Sequence, residues 1–428
     1  MTLSLLIAVS SLLVYVDYRK FKTVFTPFNV VSLPLLFVIL YAQTLGRTKG
    51  YYSVTSEAMD FLLLNFLFFW LPGRFFRGYS SQFKYRRKQL FSNILHFIDT
   101  HARILLFLLW VSILSGLFSF LQSVRGYGFS VVTTSFFLDH YGRGILGHLL
   151  NFGYPSYILL AAHFPSKIDR KLTFISLAIM TFLIFIGQVS YHLLFPLMAA
   201  CLIRVFSADT QRTAFRQVIV FLSLSLLAFV STYAFFFTVE FGYQKAISSI
   251  FLYIERFRHY LLSGPIGLSQ YLSNYGKVFD VGDLFAVPVN IYNVVFGTGP
   301  LKTDIFNSLW VPVSFTHYSN VGTLFGSVYL AVGYGGTLLF SFFLGFISYA
   351  LQAIAFSRRK VRWLLMYIWL LAVLSFSFFA YYFYLLLVWE VAAYCLIVPF
   401  IVSVIYQFMY LKGATTKTAG DLTPSSLR

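Results

Sequence analysis

Long apolar runs, separated by short polar segments, follow one another along most of the chain. Runs such as 218–238 and 363–385 are about as long as the roughly 20 residues that a helix needs to cross about 30 Å of hydrocarbon. The alternating segments of about 10 residues that build an outer-membrane barrel are absent from the sequence. The pattern therefore predicts an all-α polytopic membrane protein with about 11 (10–13) transmembrane helices. The predicted spans are 3–17, 27–46, 60–76, 104–123, 146–164, 172–188, 192–206, 218–238, one long span within 323–356, 363–385 and 387–409.

The composition agrees with this class of protein. Of the 428 residues, 59% are hydrophobic and only 11% are charged, whereas a soluble protein carries about 25% charged residues. Cys201 and Cys395 lie within apolar runs, so we interpret them as buried side chains and not as disulfide partners or metal ligands. The first apolar run has no basic segment before it and no cleavage site after it, which indicates a retained span and not a signal peptide.

Basic residues cluster in the short segments between the predicted spans and give the chain a net charge of +18. If successive connections alternate sides, 23 of the 32 Lys and Arg residues lie on one side and 9 on the other. The positive-inside rule makes the richer side cytoplasmic, with the N-terminus outside and the C-terminus inside. The positive charge is then explained by orientation in a membrane, and no nucleic-acid partner is predicted.

The spans divide the chain into four regions. They are an N-terminal bundle of about eight spans (1–238), a large loop on the outer side (239–322), the C-terminal spans (323–409) and a cytoplasmic tail (410–428). The loop begins with an amphipathic helix, whose apolar positions recur at intervals of three and four: Ile247, Ile250, Ile254, Phe257 and Leu261. We expect this helix to lie in the membrane interface and to end at Gly264-Pro265.

Charged and aromatic side chains are concentrated on that helix, in a chain otherwise poor in charge. Arg256, His259 and Tyr260 share one face by their spacing, and Glu255 can pair with Arg258 or His259. In one interpretation, the arginines of an interfacial helix extend to lipid headgroups. In the other, the helix carries an anion site, where guanidinium groups bind phosphate oxygens and a histidine moves a proton. The residues alone leave both interpretations open.

Further polar groups are predicted at the outer ends of spans. They are Arg125, the group Asp139, His140 and Arg143, the pair Gln188 and His192, and the group His317, Tyr318 and Asn320. A phosphate-handling site requires several such groups to converge on one cavity. No metal site is predicted, because the sequence lacks an HExxH motif and its outward carboxylates are scattered. A phosphate-binding nucleotide loop is also absent, so the energy for any reaction would have to arrive within an activated substrate.

Two segments of the chain resemble the Wzy-type polymerases of O-antigen and related oligosaccharide repeat units. Residues 317–349, HYSNVGTLFGSVYLAVGYGGTLLFSFFLGFISY, are similar to a stretch of that family in which an asparagine precedes an aromatic-containing helix and a glycine turn. The nearest equivalents here are Asn320 and Gly333-Tyr334-Gly335-Gly336. Residues 259–272, HYLLSGPIGLSQYL, are similar to the preceding element of the family. Many members have Gly-Ser-Arg at the end of an earlier span, where this chain has Gly187-Gln188-Val189-Ser190 and no arginine.

The resemblance implies a glycosyltransferase of the bacterial inner membrane, with the large loop and the active site at the periplasmic face. A growing glycan on undecaprenyl pyrophosphate would be transferred to the end sugar of a new lipid-linked repeat unit, without a cofactor. Arg256 and Arg258 would bind the pyrophosphate, with Arg143 and Arg125 as further candidates. His259 or His317 would accept the proton of the acceptor hydroxyl. The expected sugar-binding residues are Tyr260, Tyr271, Trp310, Tyr318 and Asn320.

Two other functions stay open from the sequence. An O-antigen ligase would have a similar architecture and would differ in its acceptor. A flippase or transporter of the lipid-linked oligosaccharide would more often show internal repeats and charges deep within its spans. Here Glu390 is nearly the only acidic residue within a predicted span. As a polymerase, the protein would have as partners the lipid-linked oligosaccharide, membrane lipids and a co-polymerase that determines chain length.

Overall fold

The computed structural model describes residues 3–76, 83–125, 128–166, 168–187, 190–208, 210–241, 249–302, 305–306, 308–358 and 360–420. The helices among them are α1 (Leu3–Phe21), α2 (Pro27–Tyr41), α3 (Ser56–Trp70), α4 (Phe83–Val124), α5 (Ser135–His140), α6 (Gly144–Phe152), α7 (Tyr154–Ala162), α8 (Arg170–Ile186), α9 (Ser190–Ser207), α10 (Gln211–Phe241), α11 (Ile250–Asn274), α12 (Val281–Leu284), α13 (Ala286–Phe296), α14 (Thr323–Arg358), α15 (Val361–Leu374) and α16 (Leu386–Gly420). One short antiparallel hairpin pairs β1 (Val311–Pro312) with β2 (Tyr318–Ser319).

The chain is an all-α membrane protein, as the hydrophobic pattern predicts. Within the described ranges, six helical stretches are long and apolar enough to cross a membrane: Pro27–Gly46, Phe91–Val124, Gly144–Ala162, Arg212–Phe235, Thr323–Arg358 and Leu386–Met409. Shorter apolar helices cover Tyr191–Ser207, Ala286–Phe296 and Val361–Leu374. The total of about 11 spans and the periplasmic position of the large loop stay predictions.

The apolar run 363–385 does not form the single helix that its composition predicts. Helix α15 ends at Leu374, and the aromatic residues that follow form a non-helical segment up to α16. That segment is stable inside the bundle because its carbonyl groups have partners: the backbone N–H groups of Thr323 and Leu324 donate to the oxygens of Phe379 (3.0 Å) and Ser377 (2.8 Å). Non-helical backbone is tolerated within a membrane protein where other protein segments satisfy it.

Helix α11 continues through Gly264-Pro265, so the prediction that it ends there is wrong. The sequence signal has a different physical cause, which is the close approach of other backbone segments. A Cβ atom on Gly264 would lie 2.0 Å from the carbonyl oxygen of Phe378, and one on Gly267 would lie 2.0 Å from that of Val321. Residues 262–269 are buried on every side, which also distinguishes this half of α11 from an interfacial helix. Ile247, the first residue of the predicted apolar stripe, lies outside the described residues.

Helix α14 reverses direction at Gly333, whose φ of 72° and ψ of −174° are not helical. Before this residue, the ring of Phe325 packs edge-on against Phe66 of α3, with 6.0 Å between centroids. After it, Ser341 Oγ donates a hydrogen bond to Asn65 Oδ1 (2.6 Å). The two halves thus lie beside the same turn of α3, which one continuous helix could not do. Glycine adopts this backbone conformation at low steric cost, and the long half of α14 follows the reversal.

A buried ionic cluster joins α1, α3 and α14 at the C-terminal end of α3. Asp17 of α1 is fully buried; it pairs with Arg74 and accepts a hydrogen bond from the Tyr349 hydroxyl (2.5 Å). Lys20 Nζ donates to the carbonyl oxygens of Gly73 (2.8 Å) and Arg74 (3.0 Å). A buried carboxylate is tolerated only when it is paired and hydrogen-bonded, so this cluster fixes the mutual position of the three helices.

Candidate functional site

Three segments that are distant in sequence meet near the N-terminal end of α3. They are the second part (47–55) of the connection between α2 and α3, the middle of α11 and the β1–β2 hairpin. Tyr51 forms an antiparallel bridge with Ser314, just after β1. The backbone N–H of Thr55 donates to Ser269 Oγ on α11 (3.1 Å). The first connection is therefore fastened to both of the other segments by its backbone.

These contacts bring together three rings, which we call the histidine cluster: Tyr51, His259 and His317. The centroids of the two imidazoles are 5.4 Å apart. The Tyr51 ring stacks on His317 at 5.9 Å, with only 11° between the planes, and lies 6.4 Å from His259. Tyr51 is only 5% exposed. The fold thus places next to each other the two histidines that the sequence analysis selects, and it adds a buried tyrosine to them.

His317 is held by hydroxyl groups of its own hairpin. Ser314 Oγ and Thr316 Oγ1 each lie 2.9 Å from His317 Nδ1. Ser314 Oγ also accepts the backbone N–H groups of Thr316 (3.2 Å) and His317 (2.9 Å), which leaves its own hydrogen free to be donated to Nδ1. With Nδ1 as an acceptor, the neutral ring carries its proton on Nε2 and can donate it to a ligand.

Two buried polar atoms of the histidine cluster have no hydrogen-bond partner within the described part of the chain. They are His259 Nδ1 and the Tyr51 hydroxyl. Because buried polar groups almost always have a partner, these two atoms can each still make a hydrogen bond. Burial, followed by the charges of His317 and Arg256, lowers the pKa of His259 to about 4, so this ring is neutral at pH 7. Burial and then Glu255 raise the pKa of Tyr51 to about 12, so its hydroxyl stays protonated.

The two arginines of α11 have different surroundings. Arg258 donates from Nη1 to both carboxylate oxygens of Glu255 (2.6 and 2.8 Å) and from Nε to the Tyr41 hydroxyl (3.2 Å). This ion pair confirms one of the two pairings that the helical spacing predicts. The Arg258 side chain is 17% exposed, and its charge is balanced by Glu255. Arg256 is exposed, and its positive charge contributes to the lowered pKa of His259.

Three of the predicted sugar-binding residues are accessible. Tyr260 stacks on Phe379 with 5.4 Å between centroids and accepts a hydrogen bond from the Tyr233 hydroxyl (3.0 Å). The side chains of Trp310 and Tyr318, at the beginning and end of the hairpin region, are each more than half exposed. Flat, exposed aromatic faces of this kind are suited to packing against the apolar faces of sugars.

The other two predicted sugar-binding residues are less accessible. Tyr271 is buried, and its ring occupies the space beside Gly322 into which a Cβ atom would project. Its position is therefore explained by core packing, and we leave it out of the site. Asn320 is half-buried on the short connection between β2 and α14, two residues before Gly322.

The remaining predicted pyrophosphate ligands belong to other segments. Arg125 is exposed directly after α4. Arg143 pairs with Asp139 (2.7 Å), and both side chains are exposed near the junction of α5 and α6. In the part of the chain that the structure describes, neither arginine makes a hydrogen bond or ion pair with the histidine cluster. His192 lies in α9, and Gln188 lies outside the described residues.

No three His, Cys, Asp or Glu side chains among the described residues are grouped so that they could hold a metal ion. A groove of about 790 Å³ lies between the end of α7 and the start of α8. It shares no lining residue with the histidine cluster. Its basic lining residues are His163, Arg170, Lys171 and Arg204.

Tyr41, Tyr51 and Ser314 are functional candidates that the sequence analysis does not select. Each of them contacts a predicted site residue only because of the tertiary fold. The one sequence signal available is position, since Tyr51 follows the outer end of a predicted span, as Arg125 does at the end of another. Tyrosine is too common in this aromatic-rich chain for that position to have been decisive.

Comparison with known proteins gives a family but no function. The model of DUF6337, described as a family of unknown function, matches residues 57–408. The matched region extends from the start of α3 into α16 and includes both histidines, whereas Tyr41 and Tyr51 precede it. No curated protein and no solved structure matches the chain.

Proposed function

The chain belongs to the DUF6337 family, whose function is unknown, and we propose that it polymerises undecaprenyl-pyrophosphate-linked oligosaccharide repeat units into O-antigen or a related surface polysaccharide. In this reaction, a hydroxyl oxygen of the acceptor repeat unit forms a bond to the anomeric carbon of the donor glycan. The bond between that carbon and the phosphate oxygen breaks, and undecaprenyl pyrophosphate leaves. The reaction takes place at the periplasmic face of the inner membrane.

One observation carries the proposal: the two segments that resemble the Wzy-type polymerases meet at their first residues. His259 begins one segment and His317 begins the other, and their rings are 5.4 Å apart. The unpartnered His259 Nδ1 and Tyr51 hydroxyl lie at the same place. Convergence of polar groups whose hydrogen bonds are incomplete is what a substrate site requires and what an interfacial support helix does not.

In the proposed mechanism, His259 accepts the proton of the acceptor hydroxyl. Its neutral ring and unpartnered Nδ1 suit it to this role. His317, whose Nδ1 is occupied by hydroxyl groups, donates from Nε2 to the substrate and keeps the Tyr51 ring in position by stacking. Tyr51 donates its hydroxyl hydrogen to a substrate oxygen.

Arg256 binds the pyrophosphate in this proposal. It is the exposed arginine of α11 and lies close to His259, so it can stabilise the charge that develops as the glycosyl bond breaks. Arg258 is already paired with Glu255 and Tyr41, and we assign it to holding α11 against α2. Tyr260, Tyr318 and Trp310 supply the aromatic surface for the sugars.

The proposal is tested with the purified full-length chain in detergent, given a defined undecaprenyl-pyrophosphate repeat unit as its only substrate. We expect the wild type to form glycans of several repeat units. Arg256→Ala should lower the rate at least about 100-fold, the usual effect of removing one stabiliser of transition-state charge. Lys277→Ala is the matched control, because Lys277 is an exposed cation just after the end of α11 and outside the site.

Tyr51→Phe is the second variant in the same assay. It removes only the hydroxyl, which has no partner among the described residues, so folding should be unaffected. An unpaired substrate group costs about 1–3 kcal/mol, which corresponds to a rate lowered about 5- to 150-fold. Tyr52→Phe is the control, since the Tyr52 ring packs on Phe315 and not on the histidines. Normal elongation by both Arg256→Ala and Tyr51→Phe would place the reaction elsewhere.

A second candidate function is transport of the same lipid-linked glycan, favoured by the reversal of α14 at Gly333. Interrupted membrane helices are common at the substrate sites of transporters. The detergent assay separates the two functions, because a transporter forms no glycosidic bond. Micelles have no second compartment, so a transporter would leave the substrate unchanged in this assay. A ligase would form product only when a lipid A core acceptor is added.

A further inference from the structure

Residues 286–301, which we call the apolar protrusion, consist of α13 and a short return segment. This stretch of the long connection between α10 and α14 contains no charged residue. The nearest charges on either side are Asp283 and Lys302, and they pair with each other at 2.5 Å. The ion pair closes the base of the protrusion, so charge is present at the base and absent beyond it.

The side-chain amides of both asparagines of the apolar protrusion are hydrogen-bonded to the return segment or to Lys302 at its base. Asn290 exchanges two hydrogen bonds with the backbone of Lys302: its Nδ2 donates to the carbonyl oxygen (2.8 Å), and its Oδ1 accepts the N–H (2.7 Å). Asn293 Nδ2 donates to the carbonyl oxygen of Pro300 (3.1 Å), and Asn293 Oδ1 accepts from the Thr298 hydroxyl (3.0 Å). The two asparagines thus fasten the return segment to one side of α13 without help from water.

The outward side chains of the protrusion are apolar and exposed. Those more than half exposed are Ile291, Tyr292, Val294, Val295, Phe296 and Leu301. At 3.6 residues per turn, the exposed positions of α13 cover an arc of about 200° around its axis, and the asparagines occupy much of the rest. The protrusion is therefore apolar on almost every side that the return segment does not cover.

We propose that the apolar protrusion is inserted among the acyl chains of one membrane leaflet. Contact of this continuous apolar surface with water is unfavourable, and soluble proteins rarely expose such a surface. Contact with acyl chains carries no such cost. The internal hydrogen bonds of the two asparagine amides fit this environment, because lipid offers polar groups no partner. The 11 residues of α13 extend about 16 Å, roughly half of a hydrocarbon core of about 30 Å. The protrusion therefore enters one leaflet and returns to the same side.

The arrangement favours lipid over a protein partner. A protein partner would cover one face and leave the others wet, so exposed apolar side chains over about 200° would be only partly buried. Acyl chains surround an inserted element on all sides, and the ion pair of Asp283 and Lys302 then lies at the headgroup level. This inference does not depend on the proposed function, because it uses no residue of the histidine cluster.

The inference is tested in proteoliposomes with variants of the full chain that each carry one added cysteine. Val295→Cys and Phe296→Cys at the tip carry a fluorophore, and Lys277→Cys, an exposed charged position of the same connection, is the control. The native Cys201 and Cys395 are buried and are retained. Brominated phosphatidylcholine quenches from within the lipid, and iodide quenches from the water. The tip positions are exposed, so their replacement leaves the protein packing intact.

We expect brominated lipid to quench the labels at 295 and 296 several-fold more strongly than the label at 277, and iodide to show the opposite order. Equal iodide quenching at the tip and at 277 would mean that the protrusion lies in water and would overturn the inference. Protection of the tip from both quenchers would also overturn it, because a protein, such as a second copy of this chain, would then cover the surface.

Discussion

Among single residues, His259 shows most directly how the fold could make a reactive group from an ordinary side chain. Burial, a neighbouring imidazole and a nearby guanidinium all disfavour its charged form. A bound pyrophosphate would oppose the positive charge of Arg256, so the His259 ring would take up a proton more readily with substrate present. An imidazole that is neutral before binding and basic afterwards is suited to accept the proton of a hydroxyl group.

The same shift predicts how stability depends on pH. The pKa of His259 is lowered from 6.5 to about 4 in the folded protein. As pH falls through 6.5, the unfolded chain binds a proton at this residue that the folded chain does not. The contribution of His259 to the free energy of unfolding is therefore present above pH 6.5 and is lost towards pH 4. We expect His259→Asn to lose less thermal stability than the wild type between pH 7 and pH 4.5, by roughly 2 °C. The measurement is the midpoint of thermal unfolding in detergent as a function of pH, and His140→Asn, at an exposed position, is the control. If the midpoints of His259→Asn and the wild type fall in parallel with pH, the prediction is wrong.

Residue pairs within one helix could be predicted, and those between distant segments could not. The ion pair of Glu255 and Arg258 follows from a spacing of three, which puts both side chains on one helix face. The contact of His259 with His317, and of both with Tyr51, depends on how the β1–β2 hairpin and the 47–55 connection fold over α11. No local pattern in the sequence contains that information.

Among the elements, α11 shows how one sequence signal can have two causes. Gly264-Pro265 is typical of a helix end because glycine and proline both disfavour helix. In the bundle, burial of residues 262–269 on every side offsets that preference, and the glycines are needed for close contact. The prediction for the run 363–385 is wrong in the opposite sense. Its apolar composition predicts one span, but the helix ends early, and the carbonyl oxygens of Ser377 and Phe379 accept hydrogen bonds from the start of α14.

The close approach of α11 to its neighbours can be tested with one added methyl group. We expect Gly267→Ala to destabilise the protein by about 1–3 kcal/mol, because its Cβ would lie 2.0 Å from the backbone oxygen of Val321. Gly276→Ala is the control, since no atom lies within 4 Å of its Cβ position. Unfolding in denaturant measures both variants in detergent. A Gly267→Ala protein as stable as Gly276→Ala would show that α11 does not pack as closely as described.

In the whole molecule, α3 connects two polar clusters of different chemistry, one near each of its ends. The histidine cluster lies near its N-terminal end, and the buried cluster of Asp17, Arg74 and Tyr349 lies at its C-terminal end. With 15 residues, α3 separates them by about 22 Å. The distribution of Lys and Arg predicts that the Asp17 end is cytoplasmic. The hydrophobic pattern is sufficient for the class of protein, whereas the depth of each segment depends on packing, as the reversal of α14 at Gly333 shows.

The proposed function requires the histidine cluster to face the periplasm, and orientation can be measured directly. Lys277 is exposed after α11, and Arg19 is exposed at the end of α1, two residues beyond Asp17. In spheroplasts, a thiol reagent that cannot cross the inner membrane should modify Lys277→Cys at once and Arg19→Cys only after the membrane is opened. Cys201 and Cys395 are buried and should give little background. Labelling is read as mass shifts on gels. The reverse order of labelling would put the histidine cluster in the cytoplasm. The lipid-linked repeat units that a polymerase uses are at the periplasmic face, so that result would rule out the proposed function.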